Sequence, residues 1–185
     1  MYLIVGLGNP ENEYARTRHN MGFDAINKIA SKFNIEMNRT KFNAIYGQGN
    51  INGKKVVLVK PQTYMNLSGQ AVRDFVNFYK IEKEELIILY DDMDIDKGII
   101  KIRKKGGAGS HNGMKSVVQE LATTDFPRIR IGIGEPEFKG DAINYVLGYI
   151  PDEEYEVLQE GASKASVAIE EIITSGIDAA MNKLN

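Results

Sequence analysis

Cysteine is absent from all 185 residues. Disulfides and cysteine nucleophiles are thereby excluded, and a reducing compartment is favoured. Apolar runs of the roughly 20 residues that a membrane helix needs are also missing. The opening apolar strand, Tyr2 to Val5, is cut short by Gly6 and has no basic flank, which does not suit a secretion signal. The expectation is a cytoplasmic chain. Histidine is scarce: there are two, about ninety residues apart, a spacing that matches no recognisable zinc motif. No G-x-S-x-G elbow is present, which argues against a serine hydrolase. The segment Gly6-Leu-Gly8-Asn9-Pro10 starts like a dinucleotide fingerprint, but the third glycine is missing and Pro10 sits in the turn. An EF-hand calcium loop starting at Asp92 would need Gly sixth and Glu twelfth; those positions hold Lys97 and Arg103.

What is present is ordinary for a globular domain: 43% hydrophobic and 26% charged residues. The length suits one domain over residues 1–185 with a core of its own. Net charge is −2, but it is unevenly spread. Residues 1–96 carry 12 basic and 12 acidic side chains, residues 97–139 carry 9 and 4, and residues 140–185 carry 2 and 9. The basic middle segment is able to meet phosphates locally, although charge blocks are commonly just solvated faces.

Periodicity alternates between the two element types. Residues 2–7 and 86–90 are short apolar runs of buried-strand type. Asn52-Gly53 between 43–50 and 55–60 predicts a hairpin. Stripes at Phe23, Ile26, Ala30 and Phe33, at Val72, Phe75, Val76 and Tyr79, and at Met114, Val117, Val118 and Leu121 predict helices. Ile99–Arg103 and Ile129–Ile133 read as strands. Pro151-Asp152 opens a long helix with its stripe at Leu158, Ala162, Ala165, Ile169 and Ile172, and a short helix follows Gly176. The expected fold class is α/β: one sandwich of helices around a central mixed, largely parallel twisted sheet. In such sheets, sites collect beyond the carboxyl ends of strands. Four polar loops, 8–20, 61–69, 91–98 and 105–113, are placed for this.

Both histidines lie in these loops, each followed by asparagine: His19-Asn20 and His111-Asn112. Histidine is the side chain best suited to accept a proton near neutral pH, yet a lone loop histidine is more often incidental. The run Asp91-Asp92-Met-Asp94 at a strand end could supply a carboxylate that orients a histidine base, or simply cap a turn. Asn66 and Ser68 precede a helix and could cap it. The chemistry left open is water attack with a histidine base, an aspartate partner and asparagine amides as binding groups.

Taken together, the motifs are those of a family. Gly6-Leu-Gly-Asn9-Pro10 with Tyr14-x-x-Thr17-Arg-His19-Asn20, Pro61-x-Thr63-Tyr64-Met-Asn66-Leu-Ser-Gly69, Asp91-Asp92-Met-Asp94, Gly106-Gly107-x-Gly-x-His111-Asn112-Gly-x-Lys115 and Arg128-x-Arg130-Ile-Gly-Ile-Gly134 resemble bacterial-type peptidyl-tRNA hydrolase. They follow the family's order and spacing from residue 3 to about 150. The departures are Glu11, where the family commonly has glycine, and Tyr90, where it often has histidine. The resemblance implies a monomeric α/β hydrolase, without metal or cofactor, that cleaves the ester between a peptide and the terminal ribose of tRNA. It further implies His19 as base, Asp91 as its partner, and Asn9 holding the base or the substrate. Asn66 is likewise implied to hold the base or the substrate peptide, Asn112 to position the water or the peptide carbonyl, and Tyr14 and Tyr64 to bind substrate. Lys101, Arg103 and Arg130 would hold acceptor-stem phosphate, and all three fall in the basic segment. A non-catalytic RNA-binding module would share the basic segment but leave His19 and Asp91 without a role. A small-substrate esterase would leave the three cations idle.

Overall fold

Short apolar runs can bury both faces only at the centre of a sheet, and these runs do so. The computed structural model describes all 185 residues. Its strands are β1 (Tyr2–Gly6), β2 (Arg39–Lys41), β3 (Ala44–Ile51), β4 (Lys54–Pro61), β5 (Leu86–Asp92), β6 (Ile100–Arg103) and β7 (Arg128–Gly132). They form one seven-stranded sheet in the order β2-β3-β4-β1-β5-β7-β6. The four strands β4, β1, β5 and β7 are parallel, while β2, β3 and β6 pair antiparallel at the two sides. The sheet is thus mixed and parallel at its centre, as the periodicity predicts.

Period-two alternation sends side chains to two cores. Ile4, Leu58, Ile87, Leu89, Ile129 and Ile131 pack with α1 (Met21–Lys32), α5 (Asp152–Ser175) and α6 (Ile177–Leu184). Leu3, Val5, Val57, Val59, Ile88 and Tyr90 pack with α2 (Ser68–Tyr79) and α3 (Asn112–Leu121). The second core contains no side chain from β6 or β7. The core beneath α2 and α3 therefore stops at β5, and the groove described below lies beyond it. No helix is long and apolar enough to cross a membrane.

The predicted strands, helices and hairpin are found, with Leu7, Phe33, Asn43, Ile99 and Ile133 falling just outside their elements. Two elements carry no sequence signal. β2 is three polar residues, made a strand only by pairing with β3. Helix α4 (Ala142–Leu147) has six residues, none of them fully buried, too few turns for its apolar residues to show a period. One loop also departs from expectation. Because β6 runs antiparallel to β7, Arg103 at its carboxyl end is level with Arg128 and hence with Ile88, not with Asp91. The 105–113 loop must therefore travel back along the sheet to reach the site.

Gly22 sets the distance at which α1 meets the sheet. A Cβ there would lie 2.5 Å from the backbone N and O of Leu7 and 2.6 Å from the carbonyl of Leu89. Only glycine allows the first turn of α1, and the loop just before it, to sit on the backbones of β1 and β5.

Candidate active site

Asp91 is the next-to-last residue of β5 and is 3% exposed. A lone carboxylate buried this deeply would be costly, and two histidines compensate it. His19 arrives in a single helical turn, Arg18–Asn20, after β1. Its Nδ1 lies 2.9 and 3.1 Å from the two Asp91 oxygens. His111 arrives at the start of α3, and its Nε2 lies 2.9 Å from Asp91 Oδ1. The two rings are 4.8 Å apart.

The hydrogen bonds assign the protons. The Met114 N–H donates to His111 Nδ1 at 3.1 Å, so His111 caps α3 through its ring. An accepting Nδ1 carries no proton, so Nε2 is the protonated nitrogen and donates to Asp91. His111 has no lone pair left for chemistry. His19 donates from Nδ1 to an acceptor-only carboxylate, which leaves its Nε2 as a free lone pair lining the groove. The pair of histidines thus divides into a fixed donor and an available base.

Charge acts in the same direction. Burial disfavours the His19 imidazolium, but the Asp91 charge and hydrogen bond outweigh it and raise the His19 pKa above its ordinary value. Burial would raise the Asp91 pKa, but the two imidazoles and their hydrogen bonds hold the carboxyl well below the usual carboxylate range. One donor atom from each of His19, Asp91 and His111 lies within 4.8 Å of the others, a set of metal-ligating types. The set fits an ion poorly, because the His111 nitrogen facing Asp91 is the protonated one.

The asparagines take different parts. Asn20 and Asn9 are buried and reciprocally bonded: the Asn9 N–H donates to Asn20 Oδ1 at 2.8 Å, and Asn20 Nδ2 donates to the Asn9 carbonyl at 2.9 Å. Asn9 Oδ1 accepts the Met65 N–H at 2.8 Å. These bonds fasten the 8–20 loop to the 61–67 loop and place Asn66 beside His19's loop. Asn66 and Asn112 are exposed, and neither makes a side-chain hydrogen bond within the protein. Helix capping by Asn66 or Ser68 is not found: α2 has no side-chain cap, and Ser68 Oγ donates to the Met65 carbonyl instead. Tyr64 has φ 61° and ψ 156°, a region nearly reserved for glycine. Its hydroxyl donates to the carboxylate of Glu11, across from half-exposed Tyr14. Glu11 thus ties the two loops together at their rim.

From His19 and His111 a groove of about 620 Å³ runs over the open face of β7 and β6. Arg103, Lys105, Arg128 and Arg130 line its far end. Arg128 is structural: buried, it donates to the carbonyls of Phe126, Thr124 and Gly107 and so holds the returning 105–113 loop. Arg130 donates from Nε to Asp92 Oδ2 at 2.7 Å, which fixes the direction of its guanidinium. Lys101 pairs with Arg130 across the strands, on the same face but outside the groove lining. Asp92 has a second task, accepting the Asp94 N–H as a turn cap.

Two residues of the site carry no distinguishing sequence signal. His111 is one of two equivalent loop histidines, and its ring-nitrogen cap depends on the Met114 N–H. Asn20 stands out in the sequence only as the neighbour of His19. Tyr90 packs edge-on against the His111 ring at 5.0 Å, so its departure from the family pattern bears first on His111.

Nitrogen-15 NMR of the two imidazoles tests this assignment. In its neutral form His111 is expected as the Nε2-protonated tautomer with Nδ1 bare, and neutral His19 as the opposite tautomer. A neutral His111 protonated on Nδ1 would contradict the cap and reopen which histidine is the base.

Comparison with known proteins agrees with this geometry. The family model described as peptidyl-tRNA hydrolase matches residues 3–185. The chain is 51% identical to the peptidyl-tRNA hydrolase of Alkaliphilus metalliredigens over 185 residues, covering 100% of both. It is 52% identical to that of Clostridium botulinum, covering 100% of this chain and 96% of the other. The crystal structure of peptidyl-tRNA hydrolase from Acinetobacter baumannii superposes with a TM-score of 0.94 at 40% identity, covering 100% of this chain and 94% of that one. By sequence over its whole length and by fold, the chain belongs to the peptidyl-tRNA hydrolase family.

Proposed function

We propose that this chain hydrolyses the ester joining a peptide to the terminal ribose of tRNA, as a cytoplasmic monomer. The observation that carries this reading is the His19–Asp91 pair at 2.9 Å, with His19 Nε2 free at the mouth of a groove floored by Arg103 and Arg130. His19 Nε2 takes a proton from water as the water oxygen attacks the ester carbonyl. The tetrahedral intermediate then collapses, and the ribose oxygen leaves with the proton that His19 returns. Asp91 stabilises the imidazolium between these two steps and keeps the tautomer correct.

The remaining roles follow the available donors. Asn9 Nδ2 makes no hydrogen bond within the protein, and the Asn66 and Asn112 amides are equally uncommitted; these groups suit the peptide carbonyls and the oxyanion. Tyr14 and Tyr64 wall the peptide side. Arg103, Arg130 and Lys101 meet acceptor-stem phosphate at the opposite end. Selection against free aminoacyl-tRNA would come from amide groups left unpaired when the peptide bond is missing.

Turnover of N-blocked aminoacyl-tRNA, with free aminoacyl-tRNA as control, tests the activity. His19→Ala should cost at least about a hundredfold in kcat with little change in tRNA affinity. An active His19→Ala beside an inactive His111→Ala would reverse the assignment.

The phosphate reading has its own test. Arg103→Ala should raise KM for every tRNA by a similar factor, leave kcat nearly intact, and make the slope of log affinity against log salt shallower by about one. Loss of kcat on an N-blocked aminoacyl nucleotide lacking the stem would instead place Arg103 in the reacting centre.

A further inference from the structure

Arg18 precedes His19 and is used by nothing in the chemistry above, yet its side chain is only 8% exposed. Its Nη1 donates to the Tyr145 carbonyl at 3.0 Å and its Nη2 to Glu154 at 2.9 Å. The guanidinium carbon stands 4.0 Å from the centre of the Tyr145 ring. Its Nε is buried without a partner, a cost the fold accepts to bring this group here. The Tyr145 carbonyl near the end of α4 accepts the Gly148 N–H at 3.2 Å, and Arg18 Nη1 is its second donor, so Arg18 reinforces the C-terminal end of α4. The fit is close on the far side: a Cβ on Gly148 would come 3.3 Å from Arg18 Nη1.

The neighbours of Arg18 continue the attachment. Thr17 bridges Tyr149, the Ile150 N–H donates to the Arg16 carbonyl at 2.9 Å, and Arg16 Nε donates to the Ile150 carbonyl at 3.0 Å. Helix α4 itself contributes Ala142, Ile143 and Val146 to the groove wall. Its other anchor is the Tyr145 hydroxyl, which donates to the Ile133 carbonyl just past β7.

The turn that carries His19 is therefore pinned at three consecutive residues by four different partners. Arg18 is held by α4 and α5, His19 by Asp91, and Asn20 by Asn9. Asp91 holds Nδ1 of His19 from one side; the backbone that carries the ring is held from the other side through Arg18.

We propose that Arg18 is a positioning residue that couples the seating of α4 on the groove to the aim of the His19 lone pair. Substrate pressing on Ile143 and Val146 moves the Tyr145 carbonyl, and Arg18 transmits that movement to His19. The inference rests on His19 being the base, which His19→Ala decides separately: an inactive His19→Ala beside a fully active Arg18→Met would remove the coupling alone.

The test is Arg18→Met, which keeps the stem and removes the donors. Glu154 retains Lys97 at 3.2 Å, so no buried carboxylate is orphaned. The expected result is a fall in kcat of about tenfold or more, with KM changed by less than about twofold. The acid limb of the kcat/KM profile should move to lower pH as His19 loosens from Asp91. Arg18→Lys should recover part of the loss. Arg16→Met, which loses bonds in the same segment without touching α4, should lower stability and leave kcat and the limb unchanged. A folded Arg18→Met with wild-type kcat and an unmoved limb overturns the proposal. If that variant does not fold, Arg18→Lys carries the decision, since it can reach Tyr145 or Glu154 but not both: wild-type kcat and limb in it would equally overturn the proposal.

Discussion

One buried carboxylate, Asp91 at the end of a central strand, joins segments that the chain keeps far apart. It accepts hydrogen bonds from His19 in the loop after β1 and from His111 at the start of α3. Removing either histidine would leave a charge 3% exposed and partly uncompensated, a loss far larger than that of a surface ion pair. The depth that makes the carboxylate costly also makes it effective. Its field acts on His19 through protein and not through water, and this raises the basicity of the ring despite its burial.

The rest of the site is arranged around that contact. Gly22 allows α1, and with it the His19 turn, to approach the sheet. Asn20 ties the turn to Asn9, and Asn9 continues the tie to Met65 in the 61–67 loop. Arg128 collects three carbonyls so that the loop leaving β6 can return to deliver His111. On the open face of β7 and β6, Asp92 points Arg130 along the groove. The site has one side built from amides and tyrosines, a centre built from a histidine and a carboxylate, and a basic side built on strands.

Much of this was legible in the sequence, for definite physical reasons. The central strands announce themselves because burial on both faces demands continuous apolar runs, as in Leu86–Tyr90. Asn52-Gly53 fixes its hairpin because few other residues tolerate the turn. Lys101 and Arg103 alternate with Ile100 and Ile102, so their shared face could be read directly. The parts that were not legible depend on tertiary contacts. β2 is a strand only because β3 lies beside it. α4 has only six residues, too few turns to show a period, and its partner Arg18 is distant in sequence. The assignment of His111 needed the Met114 N–H, since composition gives both loop histidines the same standing. The direction of β6 displaced the start of the 105–113 loop from where a simple parallel sheet would put it.

The claim that Asp91 both orients His19 and raises its basicity is tested most directly by the pH dependence of kcat/KM for Asp91→Asn on N-blocked aminoacyl-tRNA. His19 must be neutral to act, so the acid limb of the profile reports its pKa. The wild-type pKa is raised by the Asp91 charge; without that charge burial dominates, and the limb should move to lower pH while the plateau falls. A limb that stays in place, or moves to higher pH, would contradict the account.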